Sequence, residues 1–435
     1  MEIDIKTPDQ TESKSFFQSS TAKMMMVGIL TLVLLIPLFF VQDLITERSI
    51  RQKEVVSETT SKWGGGVYVY GPILKIPYKN PVTGKSNFAY FFPEELDNSI
   101  TARMEKPLER GIFKSNVFST KMNFTGSYSQ PNFQMRNIPD ANVYWNQAKI
   151  IIRTTNLKSL KDEVKIKFAN QSLKFEPGNT ENNDSIQTLE STTFDYKSIA
   201  NSSKFSFDIA FNGSKQIKIV PIGKTTDSKM TSDWNSPNFN GNFSPTSRDL
   251  FKDGSGFKAN WKILHFNRPF AQQYFEALPE LSNYAFATDF ITPVDEYQQN
   301  ERASKYGFLV IGLTFLIFFL IQSISKINIH IFQYSMIGIA LIMFYTLLIS
   351  ITEHSSFSLA YIIAAIAVIA LISLYSISIL KNKKFPTFIA ISLSVLYSFI
   401  FVIIQLEDYA LLVGSIGLFA ILAAVMYFSR KIDWK

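Results

Sequence analysis

The pattern of apolar and polar positions changes twice along the chain. Met24–Val41 is almost continuously apolar, a long polar stretch follows, and from Tyr306 onward apolar residues dominate again. This last region breaks into five runs, Tyr306–Ile321, Ile331–Ile351, Phe357–Leu380, Phe388–Ile404 and Ala410–Phe428. A helix rises ~1.5 Å per residue and the hydrocarbon core of a bilayer is ~30 Å thick, so ~20 apolar residues cross it. All six runs meet or approach that length. The shortest, at Tyr306, is expected to begin earlier, near Ala303. The first is longer than the core of a signal peptide, and "VQDLITERS" after it offers no small-x-small cleavage site, so it reads as an uncleaved anchor. Pro37 is tolerable inside such a helix and gives it a place to kink.

The polar stretch opens with "ITERSIRQKEVVSETTSKW", a polar helix supported by the i,i+4 pairs Glu47–Arg51 and Glu58–Lys62. The glycines at 64–66 end it. The period then changes to two: "VYVYGPILKIPY", "NFAYFF", "VFSTKMNFTGSY", "VYWNQAKIIIRT", "VKIKF", "FSFDIAFNG" and "QIKIVPIG" are rich in β-branched and aromatic residues. Gly, Pro, Asn and Ser clusters separate them, which predicts an all-β sandwich or barrel-like domain. The loop "SDWNSPNFNGNFSPTSRDLFKDGSG" carries Trp234 and three phenylalanines. They form either a recognition surface or, as is more common, anchors packed onto the domain.

The fold class that follows is a membrane protein. It has a cytoplasmic segment 1–23, one N-terminal transmembrane helix (24–41), a large, mainly β domain (42–305), five C-terminal transmembrane helices (306–428) and a short tail (429–435). Charge sets its expected orientation. Ten Lys and Arg residues lie outside 42–305, and all fall in the two terminal segments or in the loops around Lys326 and Lys381–Lys384. The turns "TEHSS" and "LEDY" have none. Basic residues favour the cytoplasmic side, so both termini are expected there and residues 42–305 in the periplasm of a bacterium with an inner membrane. The same count settles Glu353 and His354. Placing Glu353 at mid-membrane would cost roughly 2.5–3.5 kcal/mol and strand apolar residues in water on both sides. Two separate spans joined by "TEHSS" avoid both penalties.

Composition narrows the chemistry. The 435 residues have a mean hydropathy of +0.08, an average of two very different regions. There is no cysteine, hence no disulfide and no thiolate site. Of the net charge of +7, residues 42–305 contribute 33 Lys+Arg against 28 Asp+Glu, with no dense basic run, so nucleic acid is not an expected partner. His265 is the one histidine of that region, and a lone histidine is usually structural. No G-x-S-x-G, phosphate loop or G-x-G-x-x-G occurs. No catalytic, cofactor-binding or metal-binding residue can be assigned, and the chain is expected not to be an enzyme. Small residues Ala360, Ala364, Ala367, Gly414, Gly417, Ala420 and Ala424 offer close helix contacts.

The one polar constellation stands where the spans meet the periplasmic side. Glu301, Arg302 and Lys305 precede the second span, Glu353 and His354 form one turn, and Glu407 and Asp408 form another. Solvated loop charges are the plain explanation, because polar turns between spans are ordinary. The sharper expectation is that Arg302 or Lys305 pairs with Glu353, Glu407 or Asp408 and docks the β domain on the bundle.

Several stretches resemble the CreD family of bacterial inner-membrane, or cell envelope integrity, proteins. They are "KWGGGVYVYGPILKIPY", "SDWNSPNFNGNF", "HFNRPF", "LPELSNYAFATDFITPVDEYQQNERASKYGFLVIGLTFLIFF", "EHSSFSLAYIIAA" and "QLEDYALLVGSIGLFAILAAVMYFSRKIDW". The resemblance runs from about residue 45 to the C-terminus and is looser in the middle of the β domain. The glycines at 64–66 depart from the polar residues the family would carry there. It implies an inner-membrane protein linked to envelope integrity and stress tolerance, with the lipid bilayer and an unidentified envelope component or protein as partners. It implies no reaction and lends no catalytic residue. A transporter or flippase of lipid or solute, and a periplasmic envelope-modifying enzyme, remain as alternatives.

Overall fold

A computed structural model describes residues 20–155, 157–178, 186–199, 203–290, 296–325, 327–380, 384–406 and 409–430. It contains an N-terminal apolar helix, a large central β domain and five C-terminal apolar helices. The boundaries between its two compact units fall at 52/53 and 293/294.

The first helix, α1 (Ser20–Trp63), is 44 residues long. At ~1.5 Å per residue it measures ~66 Å, more than twice a hydrocarbon core. The anchor and the polar helix read as separate elements are therefore one. Nothing between Val41 and Ile45 breaks a helix, and Pro37 lies inside it. The remaining helices are α2 (Glu296–Lys305), α3 (Gly307–Ser325), α4 (Ile331–Thr352), α5 (Phe357–Leu380), α6 (Lys384–Gln405) and α7 (Ala410–Ser429). Six of the seven are long and apolar enough to cross a membrane, α2 being the exception. The span expected to begin near Ala303 is thus two helices, joined at Tyr306.

Residues 296–305, read as the end of the β domain, instead fall within the helical unit. Tyr297, Asn300, Ala303 and Ser304 form the buried face of α2, which packs on α4 and α6. Two glycines bring α1 onto the bundle. A Cβ at Gly338 would lie 2.2 Å from Leu34 Cδ1, and one at Gly307 would lie 2.7 Å from Leu38 Cδ1. Neither was among the small residues singled out above. Of those, Ala360 and Ala364 are buried, whereas Ala367 faces outward. Gly417 lets α6 approach α7, since a Cβ there would meet Phe399 Cζ at 2.0 Å.

The β unit begins with β1 (Val67–Lys79), β2 (Ser86–Phe91), β3 (Glu95–Met104), β4 (Leu108–Arg110), β5 (Phe113–Ser115) and β6 (Val117–Ser127). It continues with β7 (Lys149–Thr155), β8 (Lys165–Phe168), β9 (Gln171–Pro177), β10 (Ile186–Ser191), β11 (Lys204–Ser214) and β12 (Gln216–Ile219). The last six are β13 (Thr225–Ser232), β14 (Asn238–Gly241), β15 (Ser247–Leu250), β16 (Phe257–Leu264), β17 (Gln273–Phe275) and β18 (Phe286–Asp289). Period-two patterning makes them: in β3, Leu96, Asn98, Ile100 and Ala102 point inward and their neighbours outward.

One hydrogen-bonded path runs β14-β18-β12-β1-β7-β10-β9-β8-β11-β6-β3-β13-β16-β15. It turns at β9, which pairs with β8 through 171–174 and with β10 through 175–177. The two halves stack across an aromatic core. Trp261 of β16 lies 4.8 Å from Phe286 of β18, and Phe239 of β14 lies 5.5 Å from Phe257 of β16. The path is open, so of the two expected shapes the sandwich is the one found. Two pairings are parallel and distant in sequence, β1 with β12 (Val67 opposite Ile217) and β3 with β13 (Glu95 opposite Thr225).

Candidate functional site

In the helical unit the polar residues singled out from sequence take specific places. Glu353 caps α4, and its Oε1 lies 3.8 Å from Arg48 Nη1 on α1. The guanidinium is half exposed, which limits such a pair to under ~1 kcal/mol. Lys305 does not reach Glu353. Its Nζ meets Glu301 Oε1 at 3.0 Å, one turn away on the same face of α2, where i,i+4 spacing makes the nearer carboxylate the cheaper partner. Arg302 and His354 are exposed. Glu407 and Asp408 lie outside the described residues.

Arg48 was missed because its partner is three hundred positions away. A second link joins α1 to α2: Gln42 Nε2 donates to the Ser304 carbonyl at 2.9 Å. Asn300 is fully buried, and its Nδ2 donates to the Glu296 carbonyl at 2.8 Å. Beneath lies an aromatic cluster in which Phe344 stands 4.6–5.2 Å from the rings of Tyr345, Tyr361 and Tyr397. The Tyr361 hydroxyl donates to the Tyr397 carbonyl at 2.8 Å. The Tyr345 and Tyr397 hydroxyls meet no partner among the described residues. Three tyrosines inside otherwise apolar runs were the available sequence signal.

In the β unit, Asn123, Glu163, Lys165, Lys167 and Asp208 line a polar depression of about 250 Å³. Its carboxylates are engaged. Glu163 meets Lys165 at 2.9 Å, and the hydrogen bond from that lysine holds its carboxyl below the usual glutamate range. Asp208 accepts from Asn123 Nδ2 at 3.0 Å. A general acid needs a raised pKa, which Glu163 lacks. Elsewhere, Glu190 of β10 bridges Lys75 of β1 (2.7 Å) and Lys149 of β7 (2.8 Å). Burial pushes its carboxyl up, but the two lysine hydrogen bonds prevail and lower it.

Arg268, from the "HFNRPF" stretch, is 5% exposed. It donates to the carbonyls of Phe270 (3.1 Å), Gly223 (3.0 Å) and Ile222 (3.3 Å), and to Gln272 Oε1. All four acceptors are neutral, and burial lowers its pKa to about 10. His265, in the same stretch, lies against its neighbour Phe266 with the rings tilted by 38°. Among the described residues no group of three or more His, Asp or Glu could hold a metal ion.

The long loop divides in two. Trp234, Phe239 and Phe243 pack onto the core as anchors, while Phe251 stays 38% exposed. Within this loop β14 and β15 form the two ends of the sheet path. All four residues of β15 are exposed, and β15 pairs only with β16 among the described residues.

Similarity to known proteins bears on the whole of this arrangement. The inner membrane protein CreD of Escherichia coli (strain K12) is 26% identical over 421 residues, covering 93% of this chain and 91% of that protein. Among solved structures, a Legionella pneumophila protein described as nutrient binding shares 12% identity at a TM-score of 0.25, covering 57% of this chain and 80% of that one. An M1 zinc metallopeptidase from Deinococcus radiodurans shares 9% at a TM-score of 0.20, covering 46% and 42%. Neither likeness bears on fold or activity. The family model for "Inner membrane protein CreD" matches residues 19–435, and with six apolar helices flanking a β domain the chain belongs to the CreD family, a multi-pass inner-membrane protein in contact with the lipid bilayer.

Proposed function

We propose that this chain is a non-catalytic inner-membrane protein that supports envelope integrity and envelope-stress tolerance. Both termini lie in the cytoplasm, and the β domain binds an envelope component or protein partner in the periplasm. The observation that carries the binding role is the free edge at β15. A four-residue exposed strand ending in Leu250, followed by half-exposed Phe251, has an edge that pairs with no other strand among the described residues, beside two apolar side chains. That combination suits an extended partner segment, which gains affinity from main-chain hydrogen bonds and specificity from alternate side chains. Arg248 and Asp249 on the same strand discourage indiscriminate pairing.

The test is complementation of a strain lacking the protein with Leu250→Lys and Phe251→Glu variants. The expected result is lost tolerance to envelope-directed toxins at unchanged protein level. A site-specific crosslinker at Asp249 should capture a partner from the wild type that both variants lose. Full tolerance in both variants would leave the edge as guarded surface only and remove the basis for the binding role.

A further inference from the structure

The helical unit contains a cavity of about 780 Å³ between α3, α6 and α7. Small-molecule sites span about 300–1,000 Å³, so it is large enough for a ligand. Its walls are almost wholly apolar, with Leu313, Leu320, Phe388 and Val395 among the residues that form them. It follows α3 from Leu313 to Ser325 and α6 from Lys384 to Phe399. At ~1.5 Å per residue these stretches are ~18 and ~22 Å long. The cavity is therefore longer than one leaflet of a ~30 Å core.

Its two ends differ. At one, Phe399 crosses Gly417 and closes α6 onto α7. At the other stand Ser325 and Lys384, where α3 ends and α6 begins, and Ser392, midway along α6, is the remaining polar lining residue. Ala420 and Ala424 on α7 keep the wall thin where bulkier residues would fill the space. An apolar slot with a cation and a hydroxyl at one mouth complements one molecule type the bilayer supplies at high concentration. Basic pockets between transmembrane helices hold anionic lipid headgroups.

We propose that this cavity is a specific site for an anionic phospholipid of the bilayer. One acyl chain lies along α3 and α6, and the phosphate faces Lys384 and Ser325. The site shares no residue with the β15 edge, and nothing about partner binding bears on it.

The test is native mass spectrometry of the full-length protein released from micelles. It is loaded with equimolar phosphatidylglycerol and phosphatidylethanolamine of identical chains, with free glycerol phosphate as a separate arm. One retained phosphatidylglycerol is expected, with no retention of glycerol phosphate, because the chain must enter the slot. Lys384→Gln should reduce the preference for the anionic lipid about fivefold, the factor for ~1 kcal/mol per basic side chain at an anionic surface. Ala424→Phe should abolish retention by filling the slot. If that variant does not fold, the lipid preference of Lys384→Gln decides alone. Retention in the bulk lipid ratio, a preference unchanged by Lys384→Gln, or retention in a folded Ala424→Phe protein would each overturn the assignment.

Discussion

Replacing Arg268 by Met tests whether a buried cation can be held by neutral oxygens alone. Methionine keeps an apolar stem of similar reach and removes every donor. Three backbone carbonyls then lose a partner, those of Ile222, Gly223 and Phe270, together with Gln272 Oε1. A buried acceptor left unpaired costs about 1–3 kcal/mol. Against that loss, the variant no longer desolvates a charge. The fall in the arginine pKa to about 10 sizes this relief at roughly 3 kcal/mol, at ~1.36 kcal/mol per pKa unit. The Gly223 carbonyl keeps the Thr226 hydroxyl, so three acceptors at about 2 kcal/mol each lose about 6, and the difference is a net destabilisation of about 3 kcal/mol. In a domain of this size 1 kcal/mol moves the melting temperature by about 2–4 °C, so a drop of about 6–12 °C is expected.

Thermal unfolding of a 53–293 fragment, followed by circular dichroism, measures this drop. The wild-type fragment should also give a strand-dominated spectrum. The guanidinium is charged in both folded and unfolded chains below pH ~10, so the difference should be flat between about pH 6 and 9. Arg268→Lys should fall between the two, since an ammonium carries charge without the planar fork. A Met variant melting within ~2 °C of wild type would mean that the carbonyls find other donors and that the accounting above is wrong.

Three further outcomes are expected. Gly338→Val, which drives a side chain into Leu34, should cost the detergent-solubilised protein about 1–3 kcal/mol, whereas Gly312→Val, with no neighbour within 4 Å, should leave it unchanged in a size-exclusion thermostability assay. Glu190→Gln should lose about 1–2 kcal/mol at neutral pH. Because the folded pKa of Glu190 is lowered, that difference is present above the ordinary glutamate range and should vanish as pH falls through the folded value, read from melts across pH. Single cysteines at Ser355 and Asn382 should be labelled by a membrane-impermeant reagent from opposite sides of the membrane, and labelling of both from the outside would refute the orientation.

Much of the architecture was legible because lipid and a half-buried sheet each impose a strict period. Phe357–Leu380 read as a span is α5 to the residue, and "FSFDIAFNG" lies within β11. The joining of anchor and stalk into α1 was hidden because a helix leaving the membrane changes composition without changing backbone. α2 was hidden because its buried face is polar, with Asn300 and Ser304 where apolar residues would announce a packed helix. For the charged residues, Glu353 meets Arg48 instead of the expected Arg302 or Lys305, and the expected partners Glu407 and Asp408 lie outside the described residues. The Glu301–Lys305 pair was readable from spacing alone, but Arg48–Glu353 depends on which helix lies beside the α4–α5 turn. Arg268 gave no signal, since its acceptors are backbone carbonyls and any sequence has those.

The two parallel pairings also set a timetable for synthesis. Val67 meets Ile217 150 residues later, and Glu95 meets Thr225 130 residues later. At ~5–20 residues per second, β1 waits about 8–30 s for the neighbour that pairs with its first three residues. The hairpin of β1 with β2 and the antiparallel pairing of β3 with β6 can close early, from local chain. β12 and β13 join only later, and β14 to β18 follow them. For that interval Val67–Val69, buried in the finished domain, are an open template for wrong strands. The β domain is thus most vulnerable to aggregation while its own second half is being made, and slowing elongation between residues 80 and 217 should lower its yield more than the same delay after residue 232.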